Sequence, residues 1–367
     1  GLAMVANNSA DPVRVSIHTS QMVIGEKRGR RAQDRELVGD APELAREFLK
    51  QAAPGNVVIS ADTELLVRGW FRYQPLGSFP AGAGVTQLYH LTGPGSLPDP
   101  FDRLAESSEL SPFVGREQEM GQLGACLRKV YEGIGQLVII RGEPGIGKTR
   151  LIWEVKQTSL QRSVGASNTP LWGMVRCTQY DQNISLYPLV SLAEQLLGVR
   201  ADDSVEDRNQ KITDGLAREF PRQPAPARLM TMLLDTPYTQ PPPQPTMQLR
   251  ELMQTAFVRF IQQRAAQRPL ALVIEDIQWS DTDTITWLSR ASEMLRDTPC
   301  LVVLTARNNF DPPWLAQQSA ARLDLAPFPE TQAEMLVRAT AGNTSIPARL
   351  MDDIISRADG IPLFLEH

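Results

Sequence analysis

Residues 142–149 read GEPGIGKT, and this stretch decides how the rest of the chain is interpreted. It fits the pattern G-x-x-x-x-G-K followed by Ser or Thr, in which glycines let successive backbone N–H groups point at phosphate oxygens. The lysine reaches the β and γ phosphates, and the hydroxyl after it can ligate Mg²⁺. The stretch predicts a phosphate-binding loop (the P-loop) with contacts from Gly142, Glu143, Pro144, Gly145, Ile146, Gly147, Lys148, Thr149 and Arg150.

The residues on both sides of the P-loop support this prediction. An apolar run at 136–140 (QLVII) indicates a buried strand, and residues 148–160 have helical spacing. The positive end of that helix would face the phosphates. We therefore predict that the chain binds ATP or ADP together with Mg²⁺, with Thr149 as one metal ligand.

A second apolar run, at 270–274, ends in two acidic residues, Glu275 and Asp276. A carboxylate at the carboxyl end of a buried strand can hold the Mg²⁺ shell, and its neighbour can orient or deprotonate the attacking water. We assign these metal and catalytic roles to Glu275 and Asp276 jointly. A third run, at 301–304, is followed by Arg307, which is predicted to approach the γ-phosphate. The alternative for Arg307 is a surface arginine in a loop.

From residue 112 onward, strand-like runs alternate with helical periods. Further strands are predicted at 171–175 and 322–325, and further helices at 186–197, 247–266, 282–296 and, in several pieces, 330–367. This alternation indicates an α/β fold whose parallel sheet is covered on both faces. Residues 221–245 are rich in proline and are predicted to be irregular.

Length and composition limit the classes of protein that fit. A chain of 367 residues with 42% hydrophobic residues and a net charge of −5 is typical of two or three globular domains, and the acidic balance argues against direct nucleic-acid binding. Its 3 cysteines are too far apart for a disulfide framework or a metal site. Because no apolar run approaches the roughly 20 residues that span a bilayer, we expect a cytoplasmic protein without a membrane partner. The first and last residues, GLAMVA and PLFLEH, suggest a fragment of a longer protein.

Residues 112–367 resemble the signal-transduction ATPases with numerous domains (the STAND class), an AAA-like group of P-loop ATPases that occurs in large bacterial regulators. The resemblance rests on motifs that occur in the order of the class: 113–117 (FVGRE), the Walker A motif at 142–149, the Walker B motif at 272–276, its tail at 277–281, the sensor arginine segment at 305–307 and the lid motif at 360–363 (GIPL). It implies that Val114 and Arg116 lie near the nucleotide base and that Pro362 packs on adenine.

The STAND resemblance also implies a mechanism and a domain division. ADP would hold a lid shut, ATP would favour an open, assembling form, and slow hydrolysis would reset the switch. The catalytic set would be Lys148, Glu275, Asp276 and Arg307, in an ATPase domain at 112–328 with a truncated helical lid at 329–367.

Residues 1–92 resemble the C-terminal half of a class III adenylate/guanylate cyclase domain, an α+β unit, through 13–19 (VRVSIHT), 39–48 (GDAPELAREF) and 55–60 (GNVVIS). In active members the helix carries an Asn and, four residues later, an Arg, where this chain has Glu43 and Glu47. Carboxylates at those positions would repel a triphosphate, and Arg46 is one residue out of place. The metal-binding aspartates belong to the missing half. We therefore expect an inactive, partial cyclase-like domain joined by a linker at 93–111.

The motifs leave three functional hypotheses open. The first is a regulatory ATPase switch in signal transduction, with self-association or protein partners engaged through the cyclase-like domain and residues beyond this fragment. Such a regulator can act on transcription through a DNA-binding domain outside this chain. The second is a nucleotidyl cyclase that converts ATP to cyclic AMP under control of the ATPase module. The third is a signalling scaffold that binds nucleotide without turnover.

Overall fold

The computed structural model describes most of the chain, and it divides the chain into two compact units, Gly1–Leu110 and Ser111–His367. The described residues are 13–20, 23–26, 35–38, 40–67, 71–81, 84–94, 110–162, 169–179, 182, 184–200, 203–234, 247–316, 320–342, 344 and 346–366.

The first unit is an α+β structure with a four-stranded sheet. Its strands are β1 (Val15–Ile17), β2 (Val23–Glu26), β3 (Arg35–Val38), β4 (Val57–Ser60), β5 (Phe71–Ala81) and β6 (Gly84–Pro94). Its described helices are α1 (Ala41–Leu49) and α2 (Ala61–Val67). The sheet order is β1-β4-β6-β5, with β1 parallel to β4 and both β4 and β5 antiparallel to β6, while β2 and β3 pair with each other.

Alternation along β4 builds the two small cores of this unit. Val58 packs with Phe48 of α1, whereas Val57 and Ile59 belong to a second cluster. Successive strand residues point to opposite faces, which is why one short apolar run serves both cores. The strand β6 continues to Pro94, two residues into the predicted linker, and residues 95–109 lie outside the described part of the chain.

The second unit contains the predicted parallel sheet. Its strands are β7 (Gln136–Arg141), β8 (Leu171–Arg176), β9 (Leu270–Glu275), β10 (Cys300–Ala306) and β11 (Ala321–Asp324). All neighbouring strands are parallel, in the order β11-β7-β10-β9-β8. Every residue of β9 and β10 is buried. The prediction of an α/β fold with a parallel sheet is confirmed, and each predicted strand is present.

Helices cover both faces of this sheet. The helices of the second unit are α3 (Glu117–Tyr131), α4 (Lys148–Arg162), α5 (Tyr187–Leu196), α6 (Val205–Glu219), α7 (Pro224–Leu234), α8 (Met247–Gln267), α9 (Thr282–Met294), α10 (Pro313–Ala316), α11 (Glu330–Ala341), α12 (Ala348–Ala358) and α13 (Pro362–Glu366), with a 3₁₀ turn at Ile277–Trp279. Within β9, Val273 faces the core formed with α3 and α4, whereas Leu272 and Ile274 face the core formed with α5 to α9.

The proline-rich segment departs from its prediction. Residues 224–234 form the helix α7, so the prediction of irregular structure is wrong there. Pro224 and Pro226 lie in the first turn, where a helix does not need their missing N–H groups, and Met230 and Leu233 are buried. Burial against neighbouring helices therefore outweighs the composition. Residues 235–246 lie outside the described part of the chain.

The helices α11, α12 and α13 form the C-terminal helical unit, which has its own core. Buried side chains of this core include Phe328, Leu336, Met351 and Leu365. Among the helices that the structure describes, none is long and apolar enough to cross a bilayer. The three cysteines are buried.

Candidate functional site

The P-loop connects β7 to α4 at the carboxyl end of the sheet. Gly145 and Gly147 have φ values of 80° and 97°, a left-handed conformation that residues with a Cβ rarely adopt. A Cβ built at Gly147 would meet nothing within 4 Å, so the space beside it is open. The first turn of α4 is fully described and contains no acidic residue. The positive end of this helix is therefore available to an anion.

Lys148 links the end of the P-loop to its beginning. Its Nζ donates hydrogen bonds to the carbonyl oxygens of Gly142 (2.8 Å) and Glu143 (3.0 Å). Only 9% of the residue is exposed, and this burial lowers the pKa of the ammonium group, while the charge of Asp276 acts in the opposite direction. A bound phosphate would favour the charged form of Lys148, because an opposite charge raises the pKa of an ammonium group.

Glu275, the last residue of β9, is a buried carboxylate with one oxygen engaged. Its Oε2 accepts a hydrogen bond from Nε of Arg176 (3.2 Å), whereas Oε1 has no hydrogen-bond partner in the described part of the chain. Burial raises the pKa of Glu275, and the charge of Arg176 opposes that shift. A buried polar atom without a partner calls for an explanation such as an ion or water. The hydroxyl of Thr149 and this carboxylate are oxygen donors of the kind that Mg²⁺ prefers.

Asp276 is more open to solvent than Glu275. Its φ is 53°, a left-handed conformation that is uncommon outside glycine but tolerated by Asp, and its side chain is 34% exposed. Its backbone N–H donates to Oγ1 of Thr305 in the neighbouring strand β10 (2.9 Å). The buried hydroxyl of Thr305 therefore fixes the turn that carries both acidic residues.

The segment after β10 contacts the same edge of the sheet. The guanidinium carbon of Arg307 lies 5.5 Å from the ring centroid of Trp279. The positive charge of Arg307 also lowers the pKa of Lys148, although burial of Lys148 is the larger cause of that shift. Nδ2 of Asn308 donates to Oε1 of Glu143 in the P-loop (2.8 Å). This arrangement places a basic and an amide side chain beside the phosphate-binding loop.

The C-terminal helical unit contacts the P-loop directly. The backbone N–H of Leu363 donates to the carbonyl oxygen of Gly145 (3.2 Å). A Cβ built at Gly145 would lie 2.9 Å from Cβ of Leu363 and 3.2 Å from Cγ2 of Ile361. Pro362 lies between these two residues, at the start of α13. Any change in the backbone of the P-loop at this position must therefore move α13 or break the contact.

Val114 and Arg116 lie beside the C-terminal helical unit. Val114 packs against its core. Arg116 pairs with Glu119 (3.1 Å), donates to the carbonyl oxygen of Ala326 (2.6 Å), and its guanidinium carbon lies 4.8 Å from the ring centroid of Phe328. These contacts join the N-terminal end of α3 to the segment that leads into α11. Proximity to a nucleotide base therefore stays a prediction for both residues.

Arg150 contacts residues outside the P-loop turn. Its guanidinium donates to Oε1 of Glu154 (2.9 Å) and to the carbonyl oxygen of Ser111 (2.9 Å). The hydroxyl of Ser111 in turn donates to Oε1 of Glu366 in α13. The side chain of Arg150 therefore connects the first residues of the second unit to α4, and its predicted contact with a nucleotide is not tested by this geometry.

Sequence reasoning missed Arg176, Thr305 and Asn308 as site residues. Arg176 is the last residue of β8 and lies opposite Glu275 in the strand register, one residue beyond the predicted strand at 171–175. The signal that could have found it is a charged residue directly after an apolar run. The order of strands that makes it a neighbour of Glu275 is not visible in the sequence.

Comparison with known proteins gives one family and several distant structures. Residues 112–303 match the AAA ATPase domain family. An uncharacterized protein of Rhizobium meliloti (strain 1021) is 26% identical over 362 residues, which cover 97% of this chain and 34% of that protein. The chain thus spans about a third of the length of this curated relative.

The similar solved structures share little sequence with this chain. The Orc1 protein of Aeropyrum pernix in complex with DNA has a TM-score of 0.43 and 13% identity, over 70% of this chain and 59% of that chain. A STAND protein with a tetratricopeptide repeat sensor from Pyrococcus horikoshii has a TM-score of 0.38 and 15% identity, over 70% of this chain and 30% of that chain.

The family match contains the features on which the site is built. It includes the P-loop, the acidic pair Glu275 and Asp276, and the strands β7 to β9 that carry them. It also covers more than half of the chain. The chain belongs to the AAA ATPase domain family.

Proposed function

We propose that this chain binds ATP or ADP with Mg²⁺ at the carboxyl end of its parallel sheet, hydrolyses ATP slowly, and acts as a STAND-type regulatory switch in signal transduction. The backbone N–H groups of the P-loop and the first turn of α4 hold the phosphates. Lys148 exchanges its two carbonyl partners for phosphate oxygens.

The acidic pair has a division of labour in this proposal. Thr149 and the buried Glu275 hold the Mg²⁺ ion, which supplies charge neutralisation for the phosphates when it is bound. Asp276 is the more exposed acid and orients the attacking water or accepts its proton. Arg307 lies on the same edge of the sheet and responds to the charge of the γ-phosphate.

The proposal of a switch rests on the hydrogen bond from the backbone N–H of Leu363 to the carbonyl oxygen of Gly145. This bond joins the C-terminal helical unit, which acts as the lid, to the loop that holds the phosphates. In this proposal ADP keeps the contact, and ATP favours a form in which the lid opens and the protein assembles. Val114, Arg116 and Pro362 contact the base. A ligand shifts such an equilibrium only through a difference in affinity for the two forms.

The first unit is proposed to be a partial, inactive cyclase-like domain with a dimerising or regulatory role. Glu43 lies in the first turn of α1, and Glu47 follows one turn later; both are exposed. Two carboxylates on this helix face oppose the binding of a triphosphate, because like charges repel.

The test is to incubate the wild type and Lys148→Ala with ATP and Mg²⁺ and to identify the products by mass spectrometry. ADP and phosphate that are lost in the variant support the ATPase. A cyclic nucleotide contradicts the inactive cyclase assignment. Bound but unconverted ATP indicates a scaffold without turnover, and no binding at all refutes the nucleotide site.

A second experiment tests the lid. Amide hydrogen exchange at Leu363 is compared between the ADP-bound form and the form bound to a non-hydrolysable ATP analogue. The proposal expects stronger protection with ADP, since the hydrogen bond to Gly145 is then retained. Equal protection, together with equal affinity for the two nucleotides, would remove the basis for a switch.

A further inference from the structure

The guanidinium of Arg176 contacts the three side chains that are predicted to bind Mg²⁺. Its Nη2 lies 3.1 Å from Oε2 of Glu275 and donates to Oγ1 of Thr149 at 3.4 Å, and its Nε lies 3.9 Å from Oδ2 of Asp276. A guanidinium has no acceptor atom, so Arg176 is not itself a ligand for Mg²⁺. The positive group therefore lies beside the oxygens that a cation would use, and it holds Oε2 of Glu275 while Oε1 has no partner in the described part of the chain.

The burial of Glu275 explains why a positive group is needed there. The side chain of Glu275 is 6% exposed, and a buried carboxylate is costly unless an opposite charge pairs with it. In the described part of the chain, Arg176 is the basic residue that forms an ion pair with Glu275, since Nζ of Lys148 donates to two backbone carbonyls instead.

Arg176 is free to move in a way that Glu275 is not. Its side chain is 45% exposed and stands at the end of β8, whereas Glu275 is enclosed between β8 and β10. The long arginine side chain can turn into solvent without disturbing the core. Of the two residues in this ion pair, Arg176 is therefore the one that can move away from the site.

We propose that Arg176 is the counter-ion of Glu275 and that it competes with Mg²⁺ for this carboxylate. This inference rests on the proposed function, because it concerns the same site. Mg²⁺ requires close, nearly octahedral coordination by oxygen, and a guanidinium on the same carboxylate both blocks and repels it. Loading of Mg²⁺ with nucleotide displaces Arg176, so the chain keeps its buried carboxylate neutralised in both states.

The experiment is a titration of the full 367-residue chain with MgCl₂, with binding of labelled ADP as the signal, in the wild type and in Arg176→Gln. We expect the Mg²⁺ concentration at half-saturation to fall about threefold to tenfold in Arg176→Gln, because a partly buried ion pair, screened on the side of the arginine, is removed. Arg290→Gln is the matched control, because Arg290 forms an exposed ion pair with Glu251 on two helices, and it should leave this midpoint unchanged. A midpoint that is unchanged or higher in Arg176→Gln overturns the proposal.

A second variant and a second measurement test the proposal even if Arg176→Gln folds poorly. Arg176→Lys keeps the charge but loses the planar fork, so its Mg²⁺ midpoint should lie between those of the wild type and Arg176→Gln. Thermal unfolding in EDTA without nucleotide should show a lower melting temperature for Arg176→Gln than for the wild type, with a smaller gap when Mg²⁺ and ADP are added. Equal melting temperatures in EDTA overturn the counter-ion assignment. Absence of ADP binding by the wild type at every Mg²⁺ concentration instead refutes the proposed function.

Discussion

Each unit contains a helix that a resemblance to a nucleotide-binding family relates to phosphate, α4 in the second unit and α1 in the first, and the two helices begin differently. The helix α4 follows the left-handed residues Gly145 and Gly147 and begins with Lys148. The helix α1 follows Asp40, which has an ordinary right-handed conformation, and carries Glu43 in its first turn. Only α4 therefore combines a backbone that can wrap an anion with a first turn free of acidic side chains.

This difference teaches that a helix N-terminus is not by itself a phosphate site. Both helices have a positive end that arises from aligned peptide dipoles. In α1 that end has carboxylates beside it, from Asp40 and Glu43 of the same segment. In α4 the first turn has no acidic residue, and Lys148 donates to two loop carbonyls.

The largest expected effect is the loss of nucleotide binding in Lys148→Ala. Two phosphate contacts of a charged donor, together about 3 kcal/mol, correspond to about a hundredfold loss of affinity for ATP. Calorimetric or fluorescence titration measures it. The control is Lys129→Ala, an exposed lysine on α3, which should bind as the wild type does.

The same variant also tests the first unit. If α1 provided a second triphosphate site, binding of ATP would persist in Lys148→Ala with only a moderate loss. We expect no such residual site, because Glu43 and Glu47 are exposed carboxylates on that helix. Residual binding that disappears on removal of the first unit would contradict this comparison.

A pair of glycine substitutions makes the comparison sharper. Gly55 in the first unit and Gly145 in the P-loop both have a φ of 80°, but a Cβ at Gly55 meets nothing within 4 Å, whereas one at Gly145 meets Leu363. Both Ala variants carry about 1–2 kcal/mol of backbone strain. Gly145→Ala should carry about 1–3 kcal/mol more from the clash.

Hydrogen exchange at the Leu363 amide is the measurement for this pair. It should become about tenfold faster in Gly145→Ala, because a loss of 1.4 kcal/mol corresponds to a factor of ten. Gly55→Ala should leave it unchanged. Equal exchange in both variants would mean that the contact between α13 and the P-loop is not strained by a side chain at Gly145.

A smaller effect is expected when the hydroxyl that fixes the acidic turn is removed. In Thr305→Val the backbone N–H of Asp276 loses its acceptor, at a cost of about 1 kcal/mol, the low end for an unpaired amide, since Asp276 is partly exposed. Exchange of the Asp276 amide and chemical unfolding both measure it. Thr305→Ser keeps the hydroxyl and should behave as the wild type; a loss of equal size in Thr305→Ser would assign the effect to packing instead.

The smallest effect concerns a charged pair on the same sheet edge that lies outside the site. The guanidinium of Arg141 donates to both carboxylate oxygens of Asp324 and lowers the pKa of that carboxyl. A lowered folded-state pKa stabilises the fold above the unfolded value of 3.8, and this contribution is lost as the pH falls through the folded-state pKa. Solvent screening keeps the contribution below about 1 kcal/mol.

Denaturant unfolding of Asp324→Asn measures this pair. The variant should be slightly less stable than the wild type at pH 6, and the difference should shrink towards pH 2. A difference that grows with falling pH would show that another group is responsible. Binding of ADP by Asp324→Asn should be unchanged. That result would show that Arg141 and Asp324 stabilise the fold and do not bind the ligand.

Much of the second unit was predictable because its signals are local. Apolar runs of strand length, the glycine pattern of the P-loop and the acids after β9 are all properties of adjacent residues. The helix α7 was not predictable from composition, since Met230 and Leu233 are held by burial against other helices. In the first unit, a cyclase-like identity stays a proposal.

The sequence by itself determined the strands, the phosphate loop and the residue types that can hold Mg²⁺, because these depend on spacing within a few residues. Only the tertiary structure decided the strand order, which places Arg176 of β8 against Glu275 of β9, 99 residues apart in the chain. It also decided that α13 contacts Gly145. Such contacts depend on how separate elements pack, and the entropic cost of closing long loops is offset only by the cores that form around them.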